Sequence, residues 1–416
     1  MSTKSRSSLA PHPSPLAPFV VLGGAGAMGR LTVKDLFETA PSAKIVVADF
    51  NLPAAKKLTQ TYRNPRIQAT FSDISDPKAT LALLKNSFAV INCAPYAWNL
   101  QVMRTALHAG CHYLDLGGLF YTTQKQLELD SDFKKAGLTA LLGIGAAPGI
   151  TNLLARFAAD QMEKVFEIHC RVGGIDETKV IHPSPLSSSY SLETILEEFS
   201  SPPAIFSKKQ FIFPEPMSGR EEYAFPPPIG TQKIMYTLHS EVATLPLTYK
   251  KKGIQEVSFK IGFGENFTKK IELLKDLGFT SKQPVPINGA EVIPRHVLVK
   301  LVNALPKPVT QGPLKQQEIL RSVVKGIRHS KKETWVVDCR VAGIPKWDMG
   351  IDADTGCPPS IAAQMLARGE IKTTGAIPPE IAIPPQSFFK ELKKRGMHVT
   401  HQILGDNQQS KVETQG

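Results

Sequence analysis

The chain has no Cys-x-x-Cys pair, no apolar run free of breakers that could span a bilayer, and no block in which charge of one sign is concentrated. Each absence excludes something. Residues 136–155 carry no charge and are long enough to cross a membrane, but Gly143, Gly145, Pro148, Gly149, Thr151 and Asn152 interrupt them. They read as a buried strand, a turn and a helix start, so no membrane partner is expected. The five cysteines, at 93, 111, 170, 339 and 357, are odd in number and far apart, which excludes a disulfide framework and fits a reducing, cytoplasmic location. His108, Cys111 and His112 have ligand chemistry, yet Gly110 breaks the segment and no second ligand pair accompanies them, so no metal is expected. The net charge of +12 divides evenly, +6 over residues 1–150 and +6 over 151–416. Without a basic stripe interleaved with aromatics, no nucleic-acid partner is expected. The first 17 residues lack both acidic groups and an apolar core, so they read as a disordered tail rather than a secretory signal.

What is present is an ordinary globular composition, 42% hydrophobic and 21% charged over 416 residues, enough for two or three domains. From Pro18 short apolar runs alternate with helical stretches. Strands are expected at 18–23, 44–49, 67–71, 88–92, 112–115 and 138–143, with helices near 27–40, 53–63, 76–86, 98–109 and 123–136. That alternation predicts an α/β fold, a Rossmann-type doubly wound parallel sheet over residues 18–150. Beyond 165 the texture changes to longer β-like segments, such as 165–172, 233–242 and 254–262, separated by Pro-rich loops. A second α+β domain, for substrate and dimerisation, is expected over 151–350, then a C-terminal segment over 351–400 and a disordered tail over 401–416. Helices are expected at 360–368 and 386–395.

The sharpest local signal is Gly24, Gly26 and Gly29, a G-x-G-x-x-G directly after a strand and at a helix start. The spacing provides a tight turn, close approach of a pyrophosphate, and close helix-to-strand packing, with backbone N–H groups at the helix terminus facing the phosphates. Asp49 closes the second strand, 20 residues after Gly29, where a carboxylate accepts hydrogen bonds from ribose hydroxyls and repels a 2'-phosphate. No Arg follows it, so NAD is expected over NADP. The cofactor set is Gly24, Gly26, Ala27, Met28, Gly29 and Asp49. Asp73 joins it after the third strand, Ala94, Pro95, Tyr96 and Asn99 after the fourth, and Gly117 after the fifth. Tyr96 and Asn99 read equally well as a loop anchor and a helix cap.

With these residues in hand the chain resembles the saccharopine dehydrogenase family, most of all its lysine 6-dehydrogenase-like branch. The resembling segments are Gly24 to Gly29, Asn92 to Asn99, His112 to Gly118, Ala147 to Ala155, His239 to Pro246, and Thr355 to Gly369. The resemblance implies hydride transfer between a nicotinamide nucleotide and a carbon bearing nitrogen. It also implies a homodimer formed through the second domain, and a C-terminal segment that returns to the nucleotide domain. Related saccharopine-forming reductases often carry Asp where this chain has Ala147.

Amine oxidation needs a group that takes up a proton at working pH, and His is the usual one. His239 is the candidate base, because Tyr236 to Pro246 alternates like a strand ending in a Pro turn, with Glu241 two residues on and on the same strand face. Asp115 is a third catalytic candidate that reads equally as the cap of the turn after strand five. Tyr96, Asp115, Arg171 and Thr244 are candidate substrate contacts, Arg171 as a carboxylate partner. The leading expectation is NAD-dependent oxidation of the lysine side-chain amine to a semialdehyde or cyclic imine. The alternative is a saccharopine- or carboxyspermidine-type reductase joining an aldehyde to an amine, against which Ala147 and Asp49 weigh. A reading of another class is a nucleotide-binding regulator without turnover.

Overall fold

The computed structural model describes residues 13–186, 190–306, 308–405 and 411–414. The chain divides into two compact units, one running to Gly145 and including Thr355–Pro384, the other Ala146–Asp354 with the residues from Pro385.

The first unit is a parallel sheet. Its strands are β1 (Phe19–Leu22), β2 (Ile45–Asp49), β3 (Ile67–Phe71), β4 (Ala89–Asn92), β5 (His112–Asp115) and β6 (Thr139–Leu141). They lie in the order 6-5-4-1-2-3, and Gly375–Ile377 is a seventh parallel strand beside β6. Order reversal between β1 and β4 is the doubly wound arrangement, which leaves the carboxyl ends of the central strands as the ligand edge. β1 is buried throughout, as a central strand covered on both faces must be. The sheet packs around Val20, Leu22, Val90, Tyr113 and Ala140. The helical stretch expected at 123–136 is two helices, Leu119–Leu127 and Asp130–Lys135.

Helix α1 (Ala27–Thr39) follows β1 after a four-residue turn. The helix expected at 360–368 begins earlier, as Ala353–Ala367 with Pro358 and Pro359 inside it. Those prolines mask its start in the sequence. It packs on α1: Ser360 Oγ donates to Asp35 Oδ2 at 2.6 Å, and Thr32 Oγ1 donates to the Gly356 carbonyl at 2.8 Å. At Gly356 a Cβ would stand 2.4 Å from Leu31 Cβ, so glycine permits this close approach.

The second unit is built on a ten-stranded, mostly antiparallel sheet. Its principal strands are β7 (Lys164–Asp176), β8 (Glu221–Ala224), β9 (Thr231–Tyr236), β10 (Glu256–Gly262), β11 (Gln316–Arg328), β12 (Lys331–Val341) and β13 (His398–Gly405). The central order is β9-β10-β7-β11-β12-β13, with only β10 and β7 parallel.

Two expectations are corrected. The strand expected at 233–242 ends at Tyr236, and Glu241–Thr248 is a helix with Pro246 inside it. The helix is buried from Glu241 to Pro246, so it shows no amphipathic period by which to read it. The tail expected from residue 401 is also displaced: His398–Gly405 pairs with β12 over eight residues and Lys411–Thr414 is a further strand. Alternation there is too short and too polar to announce a strand. The first 12 residues of the expected leading tail, and 406–410, 415 and 416 of the expected trailing one, lie outside the described residues.

Candidate active site

The glycine turn of the first unit is constrained by its own backbone. A Cβ at Gly29 would lie 2.1 Å from the Gly23 carbonyl oxygen, and one at Gly24 would lie 2.8 Å from that of Val21 and 2.9 Å from Val47 Cγ1. Those two glycines let helix and strand touch. Gly26 differs, because its Cβ would meet only the Gly23 oxygen, at 3.1 Å. Gly26 is the N-cap of α1, without a side-chain cap, and no acidic residue occupies the first turn. Gly26 and Ala27 are exposed and Met28 is half-buried. The N-terminal amides of a 13-residue helix are thus left without a side-chain acceptor, the donor set that suits a diphosphate.

Asp49, at the end of β2, accepts from Ala25 N–H at 2.9 Å through Oδ2 and from Asn51 N–H at 2.8 Å through Oδ1. It stands beside the glycine turn, where a ribose of a nucleotide held there would lie. Asp73 follows β3 and is tied to Ser75, whose hydroxyl (2.6 Å) and backbone N–H (2.9 Å) hold the carboxyl below its usual range. Ala94 N–H donates to Asn92 Oδ1 at 3.3 Å. Pro95 is exposed and Tyr96 half-buried, at the start of a 3-10 turn.

Asn99 is fixed as a brace: it is 1% exposed, accepts from Asn92 Nδ2 at 2.9 Å and donates to the Gly117 carbonyl at 3.0 Å. It is the first residue of helix Asn99–Ala109 rather than its cap, which is Trp98.

Asp115 is wholly buried, and Tyr113 OH, Gln126 Nε2, Gly117 N and Gly143 N all donate to it at 2.6 to 2.9 Å. Burial raises its pKa, against the pull of those donors. A carboxylate so filled organises the turns after β5 and β6, including Gly117 at φ +127°.

The second unit joins two segments far apart in sequence. Ala147–Pro148 is a cis peptide, and Gly149 N–H donates to Asn152 Oδ1 at 2.9 Å as helix Ile150–Ala159 begins. From that helix Thr151 Oγ1 donates to Glu241 Oε1 at 2.6 Å, and Asn152 Nδ2 donates to Thr244 Oγ1 at 3.3 Å. The other Glu241 oxygen meets His239 Nδ1. The imidazole stacks on Phe259, with centroids 3.7 Å apart. Burial pulls the His239 pKa down, but the Glu241 charge, its hydrogen bond and the charge of Glu198 reverse this and hold it above the ordinary histidine value.

His239 and Glu241 therefore meet, although not on a shared strand face: the helix start turns Glu241 back onto the ring. Sequence reading missed Thr151, Asn152 and Glu198 as members of this cluster. Glu198 is 2% exposed, bonded by Tyr190 OH at 2.7 Å, and burial pushes its pKa up to about 7. No local pattern links residue 151 or 198 to 241.

Arg171 is on β7, 7% exposed, and donates through Nη1 to the Cys170 carbonyl at 2.8 Å and to Ser258 Oγ at 3.1 Å. On the same sheet face the metal-capable groups of Glu167, His169 and Glu256 lie within 4.8 Å of one another. Glu167 is paired with Lys325 at 2.7 Å and hydrogen-bonded to His169 at 3.1 Å, and burial holds the His169 pKa below its ordinary value. None of the five cysteines is in a disulfide among the described residues, and no described helix is long and apolar enough to cross a membrane.

Comparison with known proteins fits this geometry. Residues 19–141 match the saccharopine dehydrogenase NADP binding domain, and residues 145–397 match the saccharopine dehydrogenase C-terminal domain. The chain belongs to the saccharopine dehydrogenase family. It is an oxidoreductase of the kind that uses a nicotinamide nucleotide on a carbon–nitrogen bond.

Among curated relatives, carboxyaminopropylagmatine dehydrogenase of Synechocystis sp. is 22% identical over 91% of this chain and 96% of its own. Carboxynorspermidine synthase of Vibrio cholerae is 25% identical over 74% of this chain and 76% of its own. The structure of apo saccharopine dehydrogenase (L-Glu forming) from Saccharomyces cerevisiae superposes with a TM-score of 0.69 at 17% identity, over 94% of this chain and all of that one. Neither of these two curated relatives is named for lysine oxidation. The comparisons support the aldehyde–amine reductase, the alternative of the sequence reading, over lysine deamination.

Proposed function

We propose that this member of the family is a reductase that closes a carbon–nitrogen bond between an aldehyde and an amine. The observation that carries the reading is the buried His239–Glu241 pair and the direction in which Glu241 moves the imidazole. Condensing an amine with an aldehyde gives a carbinolamine, whose hydroxyl must leave as water before the carbon can be reduced. That step needs a proton donor. A histidine held above its ordinary pKa keeps its proton to higher pH than a free imidazole and supplies it. Oxidation of an amine asks for the opposite, a neutral imidazole.

Glu241 fixes the ring through Nδ1, and Thr151 fixes Glu241, so Nε2, which has no hydrogen-bond partner among the described residues, is the proton-delivering atom. The nicotinamide nucleotide supplies the hydride. Its diphosphate is assigned to the Gly24–Gly29 turn and the α1 amides, its ribose to Asp49. The carboxylate of Asp49 supports NADH as the preferred form, since a 2'-phosphate beside it meets like charge.

The test supplies reduced nucleotide with an amino-aldehyde or aldehyde acid and a panel of diamines, and follows nucleotide absorbance with mass analysis of the product. Oxidation of the nucleotide is expected only when both partners are present, with a secondary amine formed. Nucleotide reduction by lysine alone, with no reductive coupling, overturns the reading.

A further inference from the structure

One rung of the second unit's sheet concentrates positive charge. Register pairs Tyr236 with Lys260, Lys260 with Arg171, Arg171 with Arg321, and Arg321 with Asp338 across β9, β10, β7, β11 and β12. Cα partners on neighbouring strands share a face, so all five side chains lie in one row. The three cations are 5 to 8% exposed.

Arg321 is committed, with Nε and Nη2 on the two oxygens of Asp338 at 2.6 and 2.7 Å. Among the described residues, Lys260 and Arg171 have one carboxylate partner between them, Glu221. Lys260 Nζ lies 2.9 Å from Glu221 Oε1, donates to the Gly219 carbonyl at 2.6 Å and sits 4.3 Å from the Tyr236 ring centroid. Arg171 Nε is 3.9 Å from the same Glu221 oxygen, out of hydrogen-bond range, and is a buried donor with no hydrogen-bond partner among the described residues. The Glu221 side chain is 43% exposed and borders a groove of about 310 Å³ whose lining includes Ile234, Met235 and Phe263 and the carboxylates of Glu222, Glu265 and Glu272.

Two buried cations thus share one half-exposed carboxylate, and a guanidinium N–H is left over. A buried cation is retained when an anion answers it. We propose that Arg171 and Lys260 form a carboxylate-binding subsite in which Glu221 is the resident counter-ion that an incoming carboxylate displaces. The half-exposed Glu221 side chain marks the solvent route by which that ligand reaches the two cations. The identification of this ligand as the acid-bearing half of the substrate rests on the reductase reading. The subsite itself does not.

The test is calorimetric titration of the full chain, without nucleotide, by glutarate, its uncharged diamide and inorganic phosphate. Glutarate is expected to bind and the diamide not to. Arg171→Gln is expected to weaken glutarate on the order of tenfold, the scale of a lost charge-assisted hydrogen bond, and Glu221→Gln to tighten it by several-fold by removing the internal competitor. Unchanged affinity in folded Arg171→Gln, weaker binding in Glu221→Gln, or binding of phosphate alone overturns the proposal. Should Arg171→Gln fail to fold, Glu221→Gln on the hairpin strand decides the matter by itself. NADH titration and coupling turnover, run separately, report on the reductase reading, so loss of either leaves the other legible.

Discussion

The two units solve the problem of a central strand differently. In the first, β1 is apolar and buried at every position, and the chemistry is confined to the turns at its carboxyl edge. In the second, the central strand β7 carries Glu167, His169 and Arg171 on alternate positions of one face, and the sheet itself holds buried ions. A parallel sheet whose function sits in its loops needs only geometry from its strands. A sheet that carries charge in its interior must neutralise each ion from another strand, and its stability and its chemistry become one system. The His239–Glu241–Thr151 cluster repeats the second pattern, with partners 90 residues apart.

The comparison is broken most forcefully at that cluster. Glu241→Gln keeps the shape of the side chain and removes the charge that raises the His239 pKa. Turnover is expected to fall by about 10²- to 10⁴-fold, the usual share of a general acid. With histidine as the donor, the wild-type rate declines as pH rises through the raised pKa, and in the variant that decline moves to lower pH. A rate loss with no movement of the pH profile removes the acid role. The linkage has the same sign. A folded-state pKa above the unfolded value of about 6.5 contributes stability that is present below it and lost as pH rises through the folded value. The melting temperature of the wild type is expected to fall through that window, and that of Glu241→Gln to fall less.

The charged row gives the next largest effect. Asp338→Asn leaves the Arg321 guanidinium in the interior without its counter-charge, and breaking a buried pair from one side costs about 3 to 5 kcal/mol. Denaturant unfolding of the variant checks this. A cost below about 1 kcal/mol, the range of exposed pairs, places the row in solvent-like surroundings and ends the contrast between the two sheets.

In the first unit the expected effects are smaller and separable. Gly29→Ala drives a Cβ to within 2.1 Å of a backbone oxygen, and overpacking of that kind costs about 1 to 3 kcal/mol of stability together with nucleotide affinity. Gly26→Ala meets only one atom, at 3.1 Å, at φ −72°, so it is expected to keep the fold and lose affinity alone. Equal thermal stability of the two variants, or undiminished NADH affinity in Gly26→Ala, removes the division of labour between those glycines.

The same contrast explains what was legible in the sequence. The first unit's strands were read to within about two residues, because apolar runs, glycines and helix periods are local signals. Its glycine turn was legible for the same reason: Gly24, Gly26 and Gly29 fall close together in sequence, and Asp49 closes the next strand. Its seventh strand, Gly375–Ile377, was not, since three residues far along the chain carry no period. The second unit was legible only as texture. Helix Glu241–Thr248 passed for strand because burial on all sides leaves no polar face. Glu198, Thr151 and Asn152 carry no hint of their partners, which helix docking brings together, 90 and 92 residues apart for Thr151 and Asn152. Asp115 was weighed between catalysis and turn-capping, and four buried donors tie it into the turn.

The smallest effect tests the weakest-loaded contact of the first unit. Asp49 already receives two backbone N–H groups, so Asp49→Ser loosens the glycine turn as well as removing charge. The two consequences differ in what they discriminate. A looser turn weakens NADH and NADPH alike, whereas loss of the carboxylate relieves only the form that carries a 2'-phosphate. The ratio of the two dissociation constants therefore isolates the charge. The wild type is expected to favour NADH on the order of tenfold, about 1.4 kcal/mol, and the variant to approach parity. A wild type that favours NADPH, as the name of the family's nucleotide domain would have it, assigns Asp49 to the turn alone and moves recognition of the adenosine end to another residue.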